Sequence, residues 1–168
     1  MVMNMLSNEE VWNVLEGIPD PDIPVISITE LGLVRQVETD STTGKITVSL
    51  TPSYSGCPAM QLFQRDIVVA LQEKGADQVD IKMVYAPAWT TDWITPEARE
   101  KMKSHGIAPP ESMVAASQHG SFASGKPVTC PWCNGSDTKR TSQFGSTPCK
   151  ALWFCNSCTQ PFEYFKCF

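Results

Sequence analysis

Four cysteines stand as two close pairs, Cys130-Pro-Trp-Cys133 and Cys155-Asn-Ser-Cys158, separated by residues 134–154. That spacing is the pattern of a zinc ribbon, in which two tight knuckles each give two thiolates to one tetrahedral metal. A short CxxC turn lets both sulfurs face one point, and a hairpin brings the two knuckles together. A closed shell of four sulfurs leaves no position for substrate, so the metal would hold the fold and do no chemistry. Zinc is the expected occupant. A tetrahedral sulfur site also suits iron or an iron–sulfur cluster, and spacing alone does not separate them. Two disulfides, or four buried thiols, are the plain alternatives.

A fifth cysteine has a different setting. Cys57 closes the loop Thr51-Pro-Ser-Tyr-Ser-Gly-Cys-Pro58, between an expected strand and an expected helix with Pro58 at its first position. A thiolate at a helix start gains from free N–H groups and the positive end of the dipole. That favours a reactive or metal-binding cysteine; the alternative is a buried thiol that fills space. A second polar, constrained loop is Asp20-Pro-Asp22-Ile-Pro-Val25. Cys149 and Cys167 lie outside the quartet, and packing within the ribbon explains them. The two histidines, His105 and His119, fall at or in an expected linker and are poorly placed to serve Cys57 as a base. This argues against a Cys–His enzyme and against a serine triad. No GxxxxGK[ST] phosphate loop is present. Trp89 and Trp93 read as packing over a sheet edge, or with Tyr54 as an exposed aromatic anchor for a partner.

These residues need elements to place them. A chain of 168 residues with 42% hydrophobic content suits a modest domain plus a small module. Ser7 and Glu10 form a capping box ahead of a helical stripe of Val11, Trp12, Val14, Leu15 and Ile18. Residues 32–39 and 45–51 read as strands across the turn 40–44. In the second, Ile46, Val48 and Leu50 alternate with Thr47, Ser49 and Thr51, so one face is expected to be buried. A helix over 58–74 carries Met60, Phe63, Ile67 and Leu71 on one side. Val79, Ile81 and Met83 alternate as a third strand, and Thr95-Pro96 starts a short helix. The fold class is α+β: a small domain over 1–107 (helix, strand, strand, helix, strand, helix), a Gly/Ser/Pro-rich linker over 108–127, and a four-cysteine ribbon over 128–168.

Charge narrows the partners. The whole chain is −5; residues 1–125 hold 8 − 16 = −8, and residues 126–168 hold 5 − 2 = +3. Four thiolates and a divalent ion would reduce the latter to about +1. Lys139-Arg140 is the only basic pair in the ribbon, too little for nucleic-acid binding. The first residues lack a secretory pattern, and no stretch approaches 18 apolar residues, so neither export nor a membrane span is expected. Seven cysteines with metal-type spacing favour a reducing, cytoplasmic setting.

Asp20-Pro-Asp-Ile-Pro-Val25, Leu31-Gly-Leu-Val34 and Thr51 through Pro58 together resemble the signature of the MIP18 (DUF59) family, over residues 8–107. The ribbon ending in Glu163-Tyr-Phe-Lys-Cys-Phe168, with Pro87-Ala-Trp-Thr-Thr-Asp-Trp93, narrows the resemblance to the PaaD family of phenylacetate-degradation proteins, over nearly the whole chain. The resemblance implies a role in iron–sulfur cluster assembly or metal-centre maturation. It implies that Cys57 is the reactive cysteine, Asp20 and Asp22 the acidic motif, and Thr51 the polar residue before the cysteine loop. The family commonly has Glu where Asp22 stands, so this side chain reaches less far. One cysteine does not hold a cluster alone. A homodimer could share it, a partner or small thiol could complete it, or Cys149 or Cys167 could join.

The expected function is therefore that of a non-enzymatic accessory protein. It would carry iron or a cluster transiently at Cys57 and deliver it to a component of the multicomponent phenylacetyl-CoA epoxidase. The recipient would be the di-iron oxygenase subunit or the ferredoxin-type reductase. The second reading is a structural subunit of that complex, and the third a Cys-dependent enzyme.

Overall fold

The computed structural model describes residues 6–111 and 127–166. These form two compact units, divided between Trp89 and Thr90.

The first unit opens with α1 (Asn8–Glu16). The Ser7 hydroxyl accepts from the Glu10 N–H at 3.2 Å, and the Ser7 N–H donates to Glu10 Oε2 at 2.8 Å. Val11 and Leu15 carry the buried face of α1. An irregular segment then leads into β1 (Val34–Thr39), which pairs antiparallel with β2 (Ile46–Leu50). Between them Gly44 takes φ +70, and Asp40 Oδ1 accepts from the N–H groups of Thr42 and Thr43. The chain crosses through α2 (Ala59–Glu73) to β3 (Val79–Met83), parallel to β2, giving the order β1-β2-β3. Met60, Phe63, Ile67 and Leu71 are the buried side of α2. The expected order of elements is the observed one, and the fold is α+β.

β2 departs from the expected alternation. Ile46, Val48 and Leu50 are buried, but so are Ser49 and Thr51 on the other side. β2 is the central strand, paired on both edges, and Thr47 on that same side is only half-buried.

The second unit begins with a single 3₁₀ turn (Thr91–Trp93), then α3 (Pro96–Ser104), with the Thr95 hydroxyl capping the Ala98 N–H and Pro96 at the first position. Its sheet runs β4-β7-β6-β5, from β4 (Ile107–Ala108), β5 (Thr138–Ser142), β6 (Lys150–Cys155) and β7 (Pro161–Phe165). The core holds Ala108, Cys130, Ala151, Trp153, Cys155 and Phe162, with Tyr164 edge-on to Trp153.

Here the boundary differs from the expected 1–107 domain and 108–127 linker. Ala108, the first expected linker residue, pairs with Tyr164 as part of β4, and α3 groups with the ribbon. Gly106 at φ +74 turns the chain out of α3 and allows Ile107 and Ala108 to run beside β7. Two residues have no period for a sequence pattern to reveal. Residues 112–126 of the expected linker, with His119, lie outside the described residues. Among the described residues no helix is long and apolar enough to cross a membrane.

Candidate metal centre and cysteine loop

The two knuckles are built alike. In the first, the Cys130 carbonyl accepts from the Asn134 N–H and the Cys130 N–H donates to the Gly135 carbonyl, both at 2.9 Å. In the second, on the β6–β7 hairpin, the Cys155 N–H donates to the Gln160 carbonyl at 3.0 Å. The residue after each second cysteine, Asn134 and Thr159, has φ +60. Asn tolerates that left-handed conformation; for a β-branched Thr it is strained. Asn156 joins the knuckles, donating from its backbone to the Asp137 carbonyl and from its side chain to Asp137 Oδ1.

The sulfurs of Cys130, Cys133, Cys155 and Cys158 lie within 4.8 Å of one another. Cys130 Sγ to Cys158 Sγ is 3.7 Å and Cys133 Sγ to Cys155 Sγ is 3.6 Å. Four sulfurs at about 2.3 Å from one metal stand about 3.8 Å apart along each tetrahedral edge. The donor set and the spacing therefore fit a tetrahedral metal, and the described cysteines are not joined as disulfides. Cys130 and Cys155 are fully buried and Cys133 is exposed, so the site sits at the margin of the core. The thiols are electrostatically unequal. The Cys158 backbone N–H draws Cys155 down to about 7, while burial and then the neighbouring thiols push Cys158 up to about 12. A metal entering this set must displace protons.

Cys57 is half-buried. Gly56 takes φ +85, the Cys57 N–H donates to the Tyr54 carbonyl, and the Cys57 carbonyl accepts from the Met60 N–H, both at 3.3 Å. Pro58 has helical dihedrals at the N-cap of α2, one residue outside the assigned helix. No side chain caps this end and no acidic residue stands in its first turn, so the sulfur precedes a helix start with positive character.

Thr51 is 1% exposed, and its hydroxyl has no hydrogen-bond partner. Its N–H donates to the Leu33 carbonyl at 2.9 Å, and the Leu33 N–H to the Ile28 carbonyl at 3.0 Å. The Ile28 N–H reaches the Ile18 carbonyl at 3.1 Å. That series of bonds ties the end of β2 to the base of the acidic loop. Asp20 is buried, and its Oδ1 accepts from the N–H groups of Asp22 and Ile23, both at 2.8 Å. It braces its own loop, while Asp22 is exposed. Sequence reasoning missed the next brace: Ser27 N–H donates to Glu30 Oε2, and Glu30 N–H to Ser27 Oγ. The Ser27-x-x-Glu30 spacing was the available signal.

Trp89 is buried and donates from Nε1 to the Leu31 carbonyl at 2.9 Å, so it packs and is not an exposed anchor. Tyr54 and Trp93 are half-buried. His105 ends α3, with Nδ1 3.0 Å from the Lys101 carbonyl. Cys149 lies 3.0 Å from the Thr147 hydroxyl and outside the four-sulfur group. Cys167 is outside the described residues.

Two families match the chain. The family described as iron–sulfur cluster assembly protein matches residues 8–83, and that described as PaaD zinc beta ribbon domain matches residues 115–166. A protein of Escherichia coli (strain K12), named as a candidate component of 1,2-phenylacetyl-CoA epoxidase, is 46% identical over 159 residues, 94% of this chain and 92% of that one. An Fe-S protein maturation auxiliary factor of Porphyromonas gingivalis is 30% identical over 93 residues, 55% of this chain and 87% of that one. A conserved hypothetical protein of Thermotoga maritima of known structure superimposes with a TM-score of 0.51 at 26% identity, covering 61% of this chain and 98% of that one. A DUF59 domain from Bacillus anthracis gives a TM-score of 0.50 at 22% identity, over 54% and 86%, and speaks for the fold alone.

Proposed function

The chain belongs to the PaaD family, and on that premise we propose that it is an accessory maturation protein of a multicomponent phenylacetyl-CoA epoxidase, not an enzyme. It delivers iron or an iron–sulfur cluster to the di-iron oxygenase subunit or to the ferredoxin-type reductase. The observation that carries this reading is the place of Cys57. It stands half-buried at an uncapped helix start, inside the region that matches iron–sulfur cluster assembly proteins. The same chain is similar, over nearly its whole length, to a protein named for the epoxidase.

In this reading Cys57 supplies one thiolate to the cargo, and the positive helix end favours the anionic complex. Asp22, exposed beside Asp20, is the carboxylate that turns toward the cargo or a proton, and Asp20 holds the loop in shape. Thr51 offers a buried hydroxyl at the end of β2. A second copy, the recipient or a small thiol completes the cargo's shell, because one cysteine is too few. The four ribbon cysteines hold a resident metal, zinc by their donor set, which fixes the second unit. The protein works in the cytoplasm, where its thiols stay reduced.

The relative's name also supports a second reading, a permanent structural subunit. One experiment separates them. The oxygenase components are purified from cells carrying Cys57→Ala, and their iron content and turnover are measured. The maturation reading expects iron-poor, inactive components, and expects components matured beforehand to work without this protein. Normal loading with normal turnover defeats it. Normal loading with lost turnover, restored by adding the wild-type protein, supports the structural subunit.

A further inference from the structure

Trp132 stands inside the first cysteine pair, between Cys130 and Cys133, and its ring lies against Gly106. A Cβ at Gly106 would fall 2.6 Å from Cη2 and 2.9 Å from Cε2, so no side chain fits there while Trp132 is in place. The indole Nε1 donates to the carbonyl of Pro161, the first residue of β7, at 3.2 Å. One side chain of the metal knuckle thus covers the turn from α3 into β4 and holds the strand with which β4 pairs.

Other bonds run the same way. The Glu163 N–H donates to the Gly106 carbonyl at 3.3 Å, and Ala108 packs in one cluster with Cys130 and Cys155. Arg99 of α3 donates to the carbonyls of Thr91 and Pro110, closing the segment on itself. Residues 84–114 lie between the two family-matched regions and are assigned to neither.

We propose that metal bound at the four cysteines locks α3 and β4 onto the ribbon through Trp132, so that residues 90–110 form a metal-dependent latch. The position of Trp132 is set by its two flanking ligands. With Cys130 and Cys133 both bound to metal, the knuckle has one shape and the indole one place. Without metal, the two thiols no longer converge, the knuckle gains conformational freedom, and Gly106 loses its cover. β4 is only two residues long and cannot hold its register unaided.

The test is amide hydrogen exchange on the full chain, loaded with zinc chloride or stripped with a chelator. Stripping should speed exchange in α3 and β4 by about tenfold or more, and leave α1 and β2 unchanged. The zinc-loaded Trp132→Ala protein should still bind one zinc per chain, yet show α3 and β4 exchanging about tenfold faster. Gly106→Ala should do the same by displacing the ring; if it fails to fold, Trp132→Ala carries the test. Unchanged protection of α3 and β4 on stripping overturns the proposal. So does unchanged protection in zinc-loaded Trp132→Ala, or loss of zinc binding by that variant.

Discussion

Glu163 is held acidic against its surroundings. Burial raises its pKa, but Lys150 Nζ at 2.8 Å and two donors from Ser146 outweigh burial and keep it below the ordinary 4.5. Lys150 is 3% exposed, so this carboxylate is the counter-charge for a buried ammonium. A depressed folded pKa stabilises the native state above 4.5 and loses that contribution as pH falls through the lowered value. Glu163→Gln should cost about 2 kcal/mol at neutral pH, less than a fully buried pair because a quarter of the Glu163 side chain meets water. Denaturant titrations of both proteins at several pH values check this: the gap should close as pH falls below 4.5 and through the lowered value, and a gap constant with pH refutes it. Nothing in the sequence joined these two residues, since their positions meet only through hairpin register. The four ribbon cysteines were legible for the opposite reason, because CxxC spacing is itself a geometry. Asp20 was legible as part of a polar loop, but its service to two backbone N–H groups was not. Cys133→Ser should weaken zinc retention at least about tenfold in competition with a chromogenic chelator; equal retention would show that three sulfurs suffice.

At the scale of elements, legibility followed period. α1 and α2 repeat their apolar residues over two or more turns; in α2 the buried face is the expected Met60, Phe63, Ile67 and Leu71, while of the expected α1 stripe Val11, Leu15 and Ile18 are buried and Trp12 and Val14 only half-buried. Burial of Ser49 and Thr51 was not legible, because the alternation of one strand does not tell what covers its second face. Caps were legible because they are local. Ser7→Ala should lower the stability of the first unit by about 1 kcal/mol in urea titration, and an unchanged midpoint would show that tertiary packing alone fixes α1. The Trp89 tie to Leu31 spans 58 residues and was beyond local patterns. Trp89→Phe removes both the N–H that serves the Leu31 carbonyl and part of a buried ring, at a cost of about 2–4 kcal/mol; no loss would mean that the site closes up and water takes over the bond.

For the whole molecule, the sequence showed two modules but set their boundary where composition changes, near residue 107. The structure sets it where contacts change, between Trp89 and Thr90. Chelation should therefore lower the melting temperature of a unit that includes α3, and leave the midpoint of the first unit within a degree or so. Calorimetry of the full chain with and without zinc decides this, and a shift of both transitions would contradict it. Strand order in the second sheet has a practical consequence for dissecting the protein. β7 lies between β4 and β6. A fragment cut at the start of the expected ribbon, residues 128–166, keeps all four cysteines of the two pairs but strips β7 of β4 on one edge. It would present an unpaired row of amide and carbonyl groups on a strand carrying Phe162, Tyr164 and Phe165. Such a fragment should self-associate and precipitate, whereas one beginning at residue 90 should run as a single species on size exclusion.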